Sequence, residues 1–218
     1  MYLKFCKIDC YNISNLKSNS LYAASPDQFN DPFEAMCTTE TSKLLFQKGV
    51  LYKHEQVVRY RTRRAVISLA KALSCDEIKK SILMWSHYAD SHKGFCVAYK
   101  DSIKNVLKDK ALECREVVYE TSLCQIDESG DGYELDPIFT KAKQWEYEKE
   151  ERFLFKSEGL YSLGNRPLDV IEAIYLGCKI DVNSNCYKEI VKFAIENGIP
   201  CYQAYISPIG YELIFEKI

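Results

Sequence analysis
Residues 81–100 read SILMWSHYADSHKGFCVAYK. Two readings meet in this stretch, and their junction sets the fold class. Upstream, Ser74–Glu77 (SCDE) has the spacing of a capping box and predicts a helix over about 75–89. Downstream of Gly94, FCVAY is a short apolar run with no charge, the pattern of a buried strand. The same stretch concentrates rare side chains. It holds Trp85, His87, Asp90 and His92, and a second acid, Asp76, stands just upstream.

Working outward, MYLKFCK (1–7) and SLYAAS (20–25) read as strands around a short helix in YNISNLKSN (11–19), with Asn12 and Ser14 as candidate caps. SPDQFNDPFEA (25–35) is a rigid turn with two prolines. Residues 42–73 carry apolar positions near a helical period, broken at Gly49, so a helical insertion is expected over about 42–90. SIKNVLKD (102–109) predicts a helix and CREVVYE (114–120) a strand. CQIDESGDGYELDP (124–137) predicts a polar loop. A helix follows in IFTKAKQWEYEKE (138–150), then strands in RFLFKS (152–157) and VIEAIYLG (170–177). SNCYKEIVKFAIENG (184–198) is an amphipathic helix closed by a glycine, and the last residues form a hairpin. Strands and helices mix without regular alternation. The expectation is one α+β domain over 1–218 with a largely antiparallel, split sheet and flanking helices.

Composition narrows the function classes. The net charge is −2 and the pI about 6.0, which gives no global electrostatic case for nucleic acid. The basic run RYRTRR (59–64) reads as a solvated helix face. Ten cysteines are scattered without a CxxC pair, and the opening residues have no leader-like apolar run. Free, mostly buried thiols in a reducing cytoplasm are expected. Apolar stretches are too short to span a bilayer, so no membrane partner is expected.

Three constellations carry chemistry. SPDQFNDPFE can hold Asn30 and Asp31 in fixed positions, or it is only a connecting turn. In the opening stretch, Trp85, Tyr88 and His92 fall on one side of a helix, with Met84 and His87 beside them. That pattern serves a pocket wall, with a ligand stacked on Trp85 or Tyr88 and bonded by Ser86 or His87, or an aromatic core. The spacing of His87 and His92 fits no common zinc pattern. In QWEYEKEERFLF (144–155), a carboxylate at the start of a strand can face a cleft while Arg152 holds another, or the run is a charged helix end.

Taken in order, YLKF, LYAASPDQFNDPFE, LMWSHYADSHKGFCVAY, QWEYEKEERF and IYLG resemble the bacterial family catalogued as domain of unknown function 2971. The departures are Glu151, placed between Glu150 and Arg152, and a longer helical region before Trp85. The family name carries no function. A second, fold-level resemblance is to ADP-ribosyltransferase-like domains, in which NAD sits in a split between two small sheets and a late glutamate stabilises the oxocarbenium-like centre. It implies an NAD-dependent ADP-ribosyltransferase or NAD glycohydrolase acting as a toxin or anti-phage effector, on a protein or nucleic-acid acceptor. Glu150 or Glu148 would be catalytic, with His87 beside them. Lys4, Asn30, Asp31, Trp85, Ser86, Tyr88, His92 and Arg152 would hold the nucleotide, without a metal. Two alternatives stand beside it. One is a metal-dependent nuclease using Asp31, Glu34, His87 and Glu148. The other is a non-catalytic module that senses a nucleotide or a phage component.

Overall fold
The computed structural model describes residues 1–48, 58–59, 64–126 and 136–218. The chain is α+β, and most strand pairings are antiparallel. It divides into two compact units, each assembled from separated segments.

The first unit comprises Met1–Tyr22, Ser68–Lys110 and Leu160–Ile218. Its centre is the strand Phe95–Tyr99, FCVAY, buried at every position as its composition demands. It pairs antiparallel with Tyr2–Cys6 on one side and Ile171–Leu176 on the other. Ile171–Leu176 then pairs in parallel with Cys201–Ile206, and the parallel step requires a crossover, supplied by helix Asn185–Glu196. That helix buries Ile190, Phe193 and Ala194, and its N-cap Ser184 accepts the Tyr187 amide at 3.1 Å. Strand Leu213–Lys217 completes the expected C-terminal hairpin.

The second unit comprises Ala23–Ile67 and Ala111–Gly159. Strand Glu150–Phe155 pairs antiparallel with Glu113–Glu116, and Val118–Glu120 pairs in parallel with Thr140–Ala142. Met36–Thr38 lies between Val58–Arg59 and Cys124–Gln125. Val66, Ile138, Phe139 and Leu154 form a core against which Phe29 packs.

Several local expectations need correction. Among the described residues of the helix read over 42–73, helix is present at Glu40–Gln47 and Val58–Arg59 is a strand. Ala65–Lys71 is a strand, and Gly49 lies outside the described residues. The segment AVISLAK is almost wholly buried, and a continuous apolar run shows no period by which helix and strand differ. The helix over 75–89 is two helices, Cys75–Lys80 and Ile82–Tyr88, parted at Ser81. Ser74 sits at the N-cap but makes no side-chain capping bond. Asp9 caps the first helix, Cys10–Lys17, by accepting the Asn12 amide at 2.7 Å, displacing Asn12 and Ser14 from that role. Most of RYRTRR, and residues 127–135 of the polar loop, lie outside the described residues. None of the ten cysteines is in a disulfide. Among the described residues no helix is long and apolar enough to cross a membrane.

Candidate functional site
The second unit brings two of the three constellations together around one guanidinium. In the turn, the Asp31 carboxylate accepts the Phe33 amide at 2.9 Å and the Asp31 carbonyl accepts the Glu34 amide at 3.1 Å, an Asx-turn that fixes where Glu34 points. Ala35 then takes φ 53°, an uncommon conformation for a residue with a Cβ. Downstream, the expected helix over 138–150 is replaced. Thr140–Ala142 is a strand, Lys143–Glu148 is a 3-10 helix, and Lys149 closes it in the left-handed region at φ 47°. The strand therefore opens at Glu150. Its two-residue alternation sets Glu150 and Arg152 on one face and Glu151 on the other. Glu151 instead accepts the Cys114 thiol at 3.0 Å.

Arg152 is 0% exposed and forks onto Glu150, with Nε to Oε1 and Nη2 to Oε2 both 3.1 Å. Its Nη1 donates to Glu34 Oε1 at 2.5 Å and also to the Ile138 carbonyl. Its guanidinium lies 5.6 Å from the Phe29 ring centroid. Lys141 donates to Glu148 at 2.5 Å and stands 3.7 Å from Glu150. The Lys141 ammonium also lies 4.8 Å from the Trp145 ring centroid. The Glu150 amide donates to the Tyr119 hydroxyl oxygen at 2.9 Å. Three buried carboxyl groups, Glu34, Glu148 and Glu150, thus face two buried cationic groups, Lys141 and Arg152. Asp31 is a further buried acid in the same turn as Glu34.

The electrostatics follow from burial. Burial alone would lower the Arg152 pKa. The charges of Glu150 and Glu34, with their hydrogen bonds, outweigh it and raise the value above that of a free guanidinium. Burial pushes the Tyr147 hydroxyl up to about 12, and the Glu148 charge adds to it. Burial also raises Tyr119. Two carboxylate oxygens, Asp31 Oδ2 and Glu34 Oε2, are buried without a hydrogen-bond partner. Each such atom costs about 1–3 kcal/mol.

A groove of about 420 Å³ in this unit is lined by Val118, Glu120 and Thr140, among others. These side chains alternate with Tyr119 and Lys141 along the paired strands Val118–Glu120 and Thr140–Ala142. The groove is therefore on the opposite face of this ladder from the ion network. On the network's own face stand three half-buried rings, Tyr119, Trp145 and Tyr147.

The first unit holds the remaining predicted residues. Trp85 is 0% exposed; its indole N–H donates to the Ile78 carbonyl at 3.3 Å, and it meets Phe5 edge-on at 5.2 Å. The indole assigned to stacking a ligand is a core side chain with no open face. His92 stacks on it at 6.3 Å and pairs through Nε2 with the Ser86 hydroxyl at 3.1 Å. Its backbone, at φ 70°, donates to the Trp85 carbonyl and accepts from the Lys179 amide. Trp85, Ser86 and His92 form a structural junction. Lys4 donates to the Ser68 carbonyl at 3.1 Å. His87 is exposed and Tyr88 half-buried, their rings 6.3 Å apart. In the second unit Asn30 is exposed, beside buried Asp31.

Sequence reasoning missed Lys141, Tyr119 and Trp145. In the strand TKA, alternation turns Lys141 to the face opposite Thr140 and Ala142, a placement hidden while the segment reads as helix. Among the described residues no group of three or more His, Cys, Asp or Glu is disposed to hold a metal ion.

No curated protein and no solved structure matches the chain. One family model does, and its match begins within helix Ile82–Tyr88, which carries Trp85, and ends one residue past Arg152. What residues 84–153 match is the model of the family described as Protein of unknown function (DUF2971).

Proposed function
We propose that the ion network of the second unit acts on the bond between ribose and nicotinamide in NAD, making the protein an ADP-ribosyltransferase or NAD glycohydrolase. The setting proposed is that of a bacterial toxin or anti-phage effector. When that bond breaks, its electron pair leaves with the nicotinamide nitrogen. Positive charge then develops across the anomeric carbon and ring oxygen. Water or an acceptor group attacks that carbon and gives up a proton. The chemistry asks for a fixed carboxylate beside the developing cation and for rings that hold the base. The observation that carries the reading is the convergence of Glu148 and Glu150 on Lys141, at 2.5 and 3.7 Å, beside half-buried Trp145. Carboxyl groups outnumber cations in this network, so a cationic transition state meets favourable charge. In this role Glu150, held by the Arg152 fork, stabilises the oxocarbenium, and Trp145 replaces Trp85 as the stacking surface.

One observation favours a second reading, a binding module without turnover. Glu148 and Glu150 are each already committed to an ion pair. Purified protein incubated with NAD separates the two. Nicotinamide release that is lost in Glu150→Gln supports catalysis. A rise in melting temperature with NAD but no release, retained in Glu150→Gln, identifies the binding module. Neither release nor a thermal shift removes both.

A further inference from the structure
We infer that Cys37 and Cys124 of the second unit are a site of reversible oxidation, where a peroxide converts the two thiols into a disulfide. Strands Met36–Thr38 and Cys124–Gln125 run in parallel, and Cys37 and Cys124 are direct register partners. Register partners point to the same face of a sheet, and neighbouring strands lie about 4.8 Å apart. That spacing falls within the Cα separations that a disulfide spans, about 4.4–6.8 Å. The register is held from both sides. The Ile126 amide donates to the Thr38 carbonyl at 2.9 Å. The Gln125 side chain donates to Glu40 at 3.1 Å and accepts from Lys43, both on helix Glu40–Gln47. Elsewhere among the described strand pairings a cysteine faces another kind of residue, as Cys114 faces Phe153 and Cys201 faces Ile174.

Burial divides the roles. Cys124 is half-buried and lines the groove of about 420 Å³ that Val118 and Thr140 also line. Cys37 is 0% exposed. A peroxide therefore reaches Cys124 first. The Cys124 thiolate attacks one peroxide oxygen and the O–O bond breaks. The leaving hydroxide takes up the proton the thiol had lost, and a sulfenic acid remains. The Cys37 sulfur then attacks the Cys124 sulfur. The S–O bond breaks, and hydroxide leaves with the Cys37 proton as a second water. Two thiols are oxidised by two electrons, and one hydrogen peroxide is reduced to two waters. A dithiol reverses the bond by exchange. The bridge ties down the strand that begins two residues after Glu34. Neither thiol takes part in the NAD reading, so either can fail alone.

The test treats the reduced full chain with hydrogen peroxide at a pH close to the ordinary thiol pKa of about 8.5. The expected result is the loss of two of the ten thiols, their recovery with dithiothreitol, and a tryptic map in which the Cys37 and Cys124 peptides are joined. Oxidation raises the melting temperature by several degrees, because the bridge closes a long loop. In Cys124→Ser, at a half-buried position, the joined peptides and the rise both disappear while the untreated melting temperature stays close to that of the parent chain. In Cys37→Ala the reaction halts at the sulfenic acid, and dimedone labels Cys124. Three results overturn the inference: no disulfide in the parent chain, a disulfide between other cysteines, or a bridge that joins two chains.

Discussion

Arg152 is the residue on which the second unit's polar interior depends. It is fully buried and bonds Glu34, Glu150 and the Ile138 carbonyl. Arg152→Met leaves two carboxyl groups buried without their cation, and a loss of about 3–5 kcal/mol in urea unfolding is expected. Replacing Arg152, Glu34 and Glu150 together with apolar residues of similar volume recovers most of that loss, because desolvation and unpaired charge disappear together. A triple variant no more stable than Arg152→Met would show that the cost lies in packing. The two tryptophans make the complementary case. Trp85→Ala empties a closed site and costs about 3–5 kcal/mol. Trp145→Ala, at a half-buried ring, leaves the unfolding midpoint nearly unchanged and abolishes the melting-temperature shift with NAD. Sequence could not rank these rings. Both stand in aromatic, charged neighbourhoods, and only tertiary packing decides which face is covered. The fork of Arg152 on Glu150 was legible only in part: the sequence offered Arg152 a carboxylate to hold but read Glu150 as a helix end, and it is the strand Glu150–Phe155 that sets residues two apart on one face.

At the scale of elements, the stretch 81–100 owes its shape to backbone contact. After helix Ile82–Tyr88, residues Asp90, Ser91 and His92 all take positive φ, and the chain re-enters the sheet at Gly94. A Cβ on Gly94 would lie 2.1 Å from the Cys6 carbonyl oxygen, and one on Gly177 would lie 2.1 Å from the His92 carbonyl oxygen. Gly94→Ala and Gly177→Ala must each move backbone, so each is expected to cost more than about 3 kcal/mol in chemical denaturation. Gly198→Ala, with open space around it, pays only for its φ of 66°, about 1–2 kcal/mol. The glycines were visible in the sequence as punctuation, but their partners, brought from distant strands, were not. The same junction sets a pH dependence. Burial, then the Lys179 charge, lowers the His92 pKa from its ordinary 6.5. The folded state therefore binds fewer protons than the unfolded one. The stability tied to His92 is full above 6.5 and declines as the pH falls below it. His92→Gln should flatten the slope of unfolding free energy against pH between about 7 and 5. An unchanged slope would place the titration elsewhere.

At the scale of the whole molecule, the α+β class and the antiparallel bias followed from the irregular order of helix and strand patterns. The division into two units did not, because each unit draws on segments far apart in sequence. The family match cuts across that division: residues 84–110 lie in the first unit and 111–153 in the second. The matched segment is therefore not a folding unit. It contains Phe95–Tyr99 but neither strand that pairs with it, Tyr2–Cys6 or Ile171–Leu176. It contains Arg152 and Glu150 but not Glu34. Excised as residues 84–153, it would expose both edges of a fully apolar strand and leave the guanidinium short of one partner. The expected outcome is a fragment with no cooperative thermal transition by circular dichroism, whereas the full chain unfolds with a sharp one. A fragment that melts cooperatively would mean that helix Ile82–Tyr88 and strand Phe95–Tyr99 find a core without their partners, and that the match marks a domain after all.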